Sequence, residues 1–253
     1  MSGKPLTIAI TGKGGTGKTL LAALLVRALV AEERGPLLAV DADSAVSLPY
    51  VLGLPVGRTV SDLRIAIAEN PERRKEIMER HVRDVVGEIV QRGPGFDLLV
   101  MGRSEGPGCY CAVNDLLRYG IEALGTRYRV IVVDGEAGPE QVNRRVLSVI
   151  DTLLVVTDTS ARGARTAELI RGIAVGPART APSLLGVVVN RVRGGEAEAR
   201  AVASRVGIPL MGWIPEDDAA RSFDAEGRPL IGLPESAPCV TAVKAVLGRL
   251  TAL

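Results

Sequence analysis

Residues 12–19 of the 253-residue chain, Gly-Lys-Gly-Gly-Thr-Gly-Lys-Thr, have the spacing of a phosphate-binding loop, G-x-x-x-x-G-K-[ST]. The glycines allow consecutive backbone N–H groups to turn inward around a phosphate chain. Lys18 is then expected to contact the β- and γ-phosphates of a nucleotide, and the Thr19 hydroxyl to ligate Mg²⁺. The residues of this segment that we expect to bind the nucleotide or its metal are Gly12, Gly14, Gly15, Thr16, Gly17, Lys18, Thr19 and Leu20.

The elements on both sides of this loop fit the motif. A strand-like apolar run (6–11) precedes it and an apolar helical segment (20–31) follows, so that the positive end of the helix faces the anion. Further strand-like runs alternate with helical segments, at 37–40, 96–101, 129–133, 152–156, 184–189 and 210–213. The pattern predicts a single α/β domain over residues 1–253, with a mostly parallel sheet of seven to eight strands flanked by helices.

One segment lies outside the alternation of strands and helices. The charged stretch 71–92 is predicted to be one amphipathic helix of the outer layer. Ligands of such folds bind at the carboxyl ends of the strands, so the residues that follow each strand are the candidates for chemistry.

The composition limits the classes of function. Hydrophobic residues make up 47% of the chain but aromatic residues only 3%, which indicates an aliphatic core of buried parallel strands. A net charge of +2 gives no argument for nucleic acid or an anionic membrane. We expect no membrane span and no signal peptide. Three cysteines, an odd number, favour a reducing cytoplasm over a disulfide framework.

Acidic residues follow two of the predicted strands. Asp41 and Asp43 come after the second strand, and the fourth strand ends at Asp134. Beside a phosphate-binding loop, such carboxylates can hold Mg²⁺ or orient an attacking water. An apolar strand that ends in an aspartate is the Walker B arrangement, which places Asp134 at the Mg²⁺ shell. The alternatives are solvated turn residues at 41 and 43 and a helix N-cap at Asp134.

Two cysteines one residue apart, Cys109 and Cys111, follow the third predicted strand and a Gly-Pro-Gly turn. A disulfide between them would be strained. A position at a helix N-terminus, with the helix predicted to begin near Val113, favours the thiolate form, which binds metals. Two thiolates fill half of a four-coordinate shell, and a two-fold axis would complete it with a second pair. The alternative is a pair of inert, small apolar side chains.

The loop with its second lysine, Lys13, resembles the deviant Walker A motif K-G-G-x-G-K-T of the MinD/ParA/nitrogenase-iron-protein class. The resemblance implies an ATP-dependent homodimer in which Lys13 contacts the nucleotide of the partner subunit. It also implies that Asp43 polarises the hydrolytic water, with Asp41 supporting Mg²⁺. Residue 138, a glycine in the family's switch II, would lie near the γ-phosphate. The positions that the resemblance implies for the nucleotide's phosphate and adenine are Gly138, Asn190, Pro215 and Asp217.

Within this class, the chain resembles the CooC-type branch over essentially its whole length. The segments that carry this resemblance are Met101–Gly102, Gly108–Cys111 and 134–138. That branch matures carbon monoxide dehydrogenase and related enzymes by inserting nickel. The resemblance implies that Cys109 and Cys111 bind Ni²⁺ or Zn²⁺ between the subunits of an ATP-favoured dimer and that a nickel enzyme is the client. One departure is Gln141, where family members often have histidine, and it leaves the branch and the client open.

Three other functions occur among ATPases with this kind of loop. A nitrogenase-type reductase would need a second cysteine near switch II to hold its cluster, and residues 134–138 contain none. A MinD- or ParA-type positioning ATPase would bind membrane or DNA, but residues 243–253 are only weakly amphipathic and no basic cluster is present. An iron–sulfur cluster scaffold remains open, because paired cysteines at a dimer seam could hold a cluster. Cys239, next to Pro238, is expected to be structural.

Overall fold

The computed structural model describes residues 4–103, 111–138, 150–176 and 182–251. One eight-stranded sheet crosses it in the order β3-β4-β2-β5-β1-β6-β7-β8. The strands are β1 (Leu6–Gly12), β2 (Leu37–Ala42), β3 (Gln91–Arg92), β4 (Asp97–Val100), β5 (Val130–Gly135), β6 (Thr152–Thr157), β7 (Leu184–Val192) and β8 (Leu210–Pro215). All neighbours pair in parallel except β3, which is antiparallel to β4. This confirms the predicted α/β fold and its mostly parallel sheet.

Helices cover both faces of the sheet. Within the described residues, the α-helices are α1 (Lys18–Ala31), α2 (Leu48–Val51), α3 (Val60–Glu69), α4 (Pro71–Met78), α5 (Val82–Gly87), α6 (Cys111–Leu124), α7 (Ala161–Ala174), α8 (Gly195–Val206), α9 (Asp218–Ala225) and α10 (Pro238–Thr251). Helix α6 begins at Cys111, two residues before the predicted start.

The prediction of one helix over 71–92 is wrong. The segment forms two short helices, α4 and α5, and ends in β3. His81 has an extended backbone, with φ −67° and ψ 134°, and it precedes α5 as its N-cap residue. An extended residue cannot continue the helical hydrogen bonding, so the charged segment turns at this point.

The strands divide the core into two aliphatic clusters, one on each face of the sheet. Along β1, Ile8 and Ile10 face the cluster that contains α1 and α10, whereas Ala9 faces the cluster that contains α6, α7 and α8. This alternation follows from the two-residue period of a strand. Burial on both faces explains why the central strands are continuous runs of Val, Ile, Leu and Ala.

The carboxyl ends of the central strands bring the predicted site together. Asp41 of β2 lies directly opposite Asp134 of β5 in the parallel register, and Asp134 is also opposite Ile10 of β1. Strand β1 leads into the phosphate-binding loop and then into α1. On the other side, β7 carries Asn190 and β8 ends at Pro215. The order of the strands therefore places the carboxylates on one side of the loop and the predicted adenine residues on the other.

Candidate functional site

The phosphate-binding loop is fixed by two close approaches that only glycine permits. Gly12 has φ 150°, and a Cβ there would lie 2.1 Å from the carbonyl oxygen of Val156. Gly17 has φ 98°, and a Cβ there would lie 2.0 Å from the Asn190 side-chain nitrogen. Both conformations are unfavourable for residues that carry a Cβ. The glycines of the motif thus permit the contacts of the loop with β6 and β7.

Hydrogen bonds hold the middle of the loop. The buried Thr16 hydroxyl lies 2.8 Å from the Lys13 carbonyl and 3.1 Å from the Val156 carbonyl. The Asn190 amide donates to the carbonyl of Thr16 at 2.8 Å. The Asn190 side-chain oxygen accepts from the N–H of Arg191 at 2.8 Å. These contacts fix the loop's shape before any ligand binds, which lowers the entropic cost of binding phosphate.

Helix α1 presents an open N-terminus to the phosphate position. Its N-cap residue, Gly17, supplies no capping side chain. The first backbone N–H groups of a helix have no acceptor within the helix, so they can donate to an anion. The Lys18 side chain is buried here, and burial lowers the pKa of its ammonium below the ordinary value. The nearby carboxylates of Asp134, Asp43 and Glu136 act against that shift.

Asp41 and Asp134 form a buried pair of carboxyl groups beside the loop. Asp41 is fully buried, and its two oxygens accept from the N–H of Asp43 at 3.0 Å and of Leu48 at 2.9 Å. Burial raises the pKa of Asp41 to about 7, in spite of these hydrogen bonds. Burial and the charge of Asp41 raise the pKa of Asp134 to about 7 as well. Ionisable groups whose pKa is shifted this far are concentrated at functional sites.

The residues present fit a bound Mg²⁺. Both carboxylate oxygens of Asp134 are buried and have no hydrogen-bond donor of good geometry among the described residues. The Thr19 hydroxyl and the Lys18 ammonium lie close enough to lower the pKa of Asp134, but by less than burial raises it. A hydroxyl and carboxylates are the oxygen ligands that Mg²⁺ prefers, directly or through water. The structure brings the predicted metal residues Thr19, Asp41 and Asp134 together.

Lys13 belongs to the phosphate-binding loop, and Asp43 lies close enough to Lys18 to affect its pKa. Asp43 is half-buried, and one carboxylate oxygen accepts from the N–H of Ala45 at 2.9 Å. Lys13 is half-buried, and no ion pair or hydrogen bond of its ammonium is found in residues 4–103, 111–138, 150–176 and 182–251. Gly14 and Gly15 beside it are exposed. The front of the loop is therefore accessible to another molecule.

The segment that follows β5 is attached to the first glycine of the loop. The N–H of Gly138 donates to the Gly12 carbonyl at 3.0 Å, and the Gly138 carbonyl lies 3.5 Å from the Thr11 hydroxyl. Gly138 has φ 98°. The predicted switch II glycine is thus adjacent to the phosphate-binding loop.

A cavity of about 600 Å³ extends from the loop towards β7, β8 and the N-terminus of α9. This volume is in the range of small-molecule sites. The predicted nucleotide residues that line it are Gly15, Gly17, Lys18, Thr19, Leu20, Asn190, Pro215 and Asp217. Asn190 uses part of its amide to brace the loop, and Asp217 caps α9.

Several residues that line the cavity are not predicted by the sequence. Ser47 and Val51, at the start and end of the α2 segment, form one side, and Leu230 forms another. Cys239 lines the cavity from α10 while fully buried. These residues come from elements that meet the loop only after tertiary packing, and no local motif distinguishes them. The expectation that Cys239 is structural agrees with its burial.

The C-x-C prediction stays a prediction. Cys109 and Gln141 lie outside the described residues, and the side chain of Cys111, the first residue of α6, is also outside them. In the part of the chain that the structure describes, no group of three or more His, Cys, Asp or Glu side chains could hold a metal ion. Within the same part, no helix is long and apolar enough to cross a bilayer.

Comparison with known proteins agrees with this geometry. The chain is 37% identical over 243 residues to an uncharacterized ATP-binding protein of Methanocaldococcus jannaschii, covering 91% of this chain and 92% of that protein. It is 29% identical over 245 residues to the carbon monoxide dehydrogenase accessory protein CooC of Rhodospirillum rubrum, covering 88% of each. It is also similar in fold to the septum site-determining protein MinD of Pyrococcus horikoshii, solved with Mg-ADP. The TM-score is 0.72 at 24% identity, over 97% of this chain and 96% of that one.

Residues 7–230 match the family described as the CobQ/CobB/MinD/ParA nucleotide binding domain. That match covers the phosphate-binding loop, the buried carboxylates and every residue that lines the cavity except Cys239. The chain therefore belongs to the CobQ/CobB/MinD/ParA nucleotide-binding family and is an ATP hydrolase of the MinD/ParA type.

Proposed function

We propose that this ATPase is a nucleotide-dependent homodimer that binds a divalent metal, nickel in the first place, and delivers it to a client metalloenzyme. The carrying observation is the 29% identity to CooC of Rhodospirillum rubrum along 88% of both chains, together with the C-x-C pair in this sequence. The metal would be cargo, held by Cys109 and Cys111 of both subunits. A four-thiolate shell suits Ni²⁺ or Zn²⁺. The client would be carbon monoxide dehydrogenase or a related nickel enzyme, in the cytoplasm.

The described residues support the hydrolytic half of this proposal. The loop amides and Lys18 would bind the phosphates, and Mg²⁺ would offset the charge that develops on them. Asp134, Asp41 and Thr19 would hold that ion. Asp43 would orient the attacking water, since its carboxylate is half-buried and close enough to Lys18 to affect its pKa.

Lys13 would couple hydrolysis to dimer formation. Among the described residues its ammonium has no partner, although it stands at the front of the phosphate-binding loop. A cation that reaches the nucleotide of a second subunit would stabilise transferring phosphate only in the closed dimer. Hydrolysis would then weaken the seam that holds the metal and release the cargo.

Size-exclusion chromatography with light scattering, in ADP, in ATP and in ATP with Ni²⁺, tests this proposal. We expect a monomer or open dimer in ADP and a compact dimer in ATP that carries Ni²⁺. The double variant Cys109→Ser/Cys111→Ser should still respond to ATP but carry no metal. Metal binding unchanged in that variant would exclude the C-x-C site.

An absorption spectrum of protein purified without oxygen separates this proposal from an iron–sulfur scaffold. A colourless protein, or nickel–thiolate bands after Ni²⁺ is added, supports metal delivery. A brown protein with iron–sulfur absorbance would instead support the scaffold.

A further inference from the structure

Asp217 lies where β8, α9 and α10 meet at the far end of the cavity. It is the N-cap residue of α9, and one oxygen accepts from the N–H groups of Ala219 at 2.9 Å and Ala220 at 3.2 Å. Its other oxygen accepts from the backbone N–H of Cys239 at 2.9 Å. A single carboxylate therefore caps two helices that begin 20 residues apart in sequence, at Asp218 and Pro238.

The start of α10 makes this second cap effective. Pro238 occupies the first position of α10 and has no N–H, so the N–H of Cys239 is the first backbone donor of that helix. The positive ends of both helices face the Asp217 carboxylate, which favours its charged form. Burial alone would raise the pKa of Asp217, but hydrogen bonds from Cys239, Ala219 and Ala220 lower it below its ordinary value.

Most of the acceptor capacity of this carboxylate is used by the protein itself. A carboxylate offers about four lone-pair positions. Three accept from the backbone N–H groups above. The Cys239 thiol lies close enough to lower the pKa of Asp217. Burial raises the pKa of this thiol to about 12, so it stays protonated beside the carboxylate. At most one acceptor position is left for a donor on a bound base.

We infer that Asp217 is a positioning residue for the nucleotide, acting through the N-termini of α9 and α10 and not by contact with the base. The cavity wall that it holds includes Ala220 on α9 and Cys239 on α10. The wall is therefore preformed. The charged side chains of Arg221 and Asp224 on α9 line the same cavity. This inference rests on ATP binding in the cavity and is independent of the metal cargo.

A double-mutant cycle between the protein and the ligand tests this inference. The ligands are ATP and purine riboside triphosphate, which lacks the 6-amino group of adenine. We expect Asp217→Asn to weaken the binding of both by the same factor, about tenfold, because an amide cannot accept from Cys239 and from both α9 amides together. Calorimetry measures the four affinities. A loss for ATP only would show direct contact with the 6-amino group and overturn the inference.

Asp218→Asn is the matched control, because it makes the same charge change at the next residue, whose side chain is 86% exposed. It should leave both affinities within about twofold of the wild type. If Asp217→Asn behaves like this control, Asp217 has no positioning role. If the wild type bound neither ligand, the ATPase itself would be in question, which is a separate outcome.

Steady-state kinetics separates positioning of the base from a general loss of structure. Asp217→Asn should raise KM for ATP about tenfold and leave kcat at saturating ATP within about twofold, since the phosphate-binding loop is untouched. A fall in kcat with unchanged KM would contradict the inference.

Cys239→Ala keeps the backbone N–H that donates to Asp217, and it is the variant to measure if Asp217→Asn does not fold. It should weaken both ligands equally, by about threefold, and selective loss for ATP would again overturn the inference.

Discussion

At the scale of single residues, the nucleotide site contains buried carboxyl groups whose charged forms are unfavourable without a bound cation. Asp41 and Asp134 are buried residues of strands β2 and β5. The Asp134 oxygens have no hydrogen-bond donor of good geometry among the described residues. Burying a charge without a partner is costly, so the cost must be offset when the ligand binds. The site is therefore built for a cation that arrives with the nucleotide.

Asp134→Asn should stabilise the protein without nucleotide and Mg²⁺ while it removes activity. Because the pKa of Asp134 is raised from 3.8 to about 7, the folded protein binds its proton more tightly than the unfolded chain does. The free energy of unfolding should then fall as pH rises from about 4 to about 7 and level off above. The variant should lose part of this slope and be more stable at pH 8 by about 2 kcal/mol.

Urea unfolding at several pH values measures that effect, and a phosphate-release assay measures activity. Hydrolysis by Asp134→Asn should fall at least about 100-fold, because the Mg²⁺ shell loses its charge. Asp218→Asn, at an exposed position, should change neither quantity. A variant less stable than the wild type at pH 8 would show that the carboxylate is satisfied in the folded protein.

At the scale of elements, the phosphate-binding loop depends on contact with β6 and β7. Gly12 and Gly17 approach Val156 and Asn190 too closely for a Cβ. Asn190 also bonds the Thr16 carbonyl. The loop is thus preorganised by its neighbours in the sheet and not only by its own glycines.

Gly17→Ala should therefore cost more stability than Gly15→Ala. Both glycines have positive φ, 98° and 78°, so both substitutions carry backbone strain. A Cβ at 17 would collide with Asn190, whereas one at 15 would have nothing within 4 Å. We expect losses of about 3 and about 1 kcal/mol in the free energy of unfolding without nucleotide. Equal losses in urea titrations would mean that the loop does not pack on Asn190 in solution.

Much of this element-level arrangement follows from the sequence. The seven predicted strands are present, and the rule that ligands bind at strand carboxyl ends places Asp41 beside Asp134. The sequence does not predict the break between α4 and α5, because a charged, periodic segment gives no local sign of the extended backbone at His81. The double cap by Asp217 also could not be predicted, since it depends on the packing of two helices that are distant in sequence.

At the scale of the whole molecule, the proposed cycle requires two chains that share their sites. Lys13 is the residue that distinguishes this phosphate-binding loop from a simple one, and among the described residues its ammonium makes no hydrogen bond or ion pair. If Lys13 contacts the nucleotide of the partner subunit, a substitution of Lys13 must impair hydrolysis in the partner's site and not in the site of its own chain.

Mixing two inactive variants tests this sharing. Lys13→Ala and Asp43→Asn should each lose most hydrolysis alone. In a 1:1 mixture, half of the dimers contain one chain of each kind, and one of their two sites has both groups. The mixture should regain about a quarter of the wild-type rate. A mixture as inactive as its components would show that Lys13 acts within its own chain.

The central claim, that ATP assembles a shared metal site, is tested most directly by metal analysis of the isolated ATP-bound dimer. After incubation with Ni²⁺ and removal of free metal, we predict one nickel ion per two chains in ATP and far less in ADP. Cys109→Ser/Cys111→Ser should form the same dimer without nickel, with Cys239→Ala retaining it as the matched thiol control. Nickel bound equally in ADP and ATP, or equally by the double serine variant, would contradict the account.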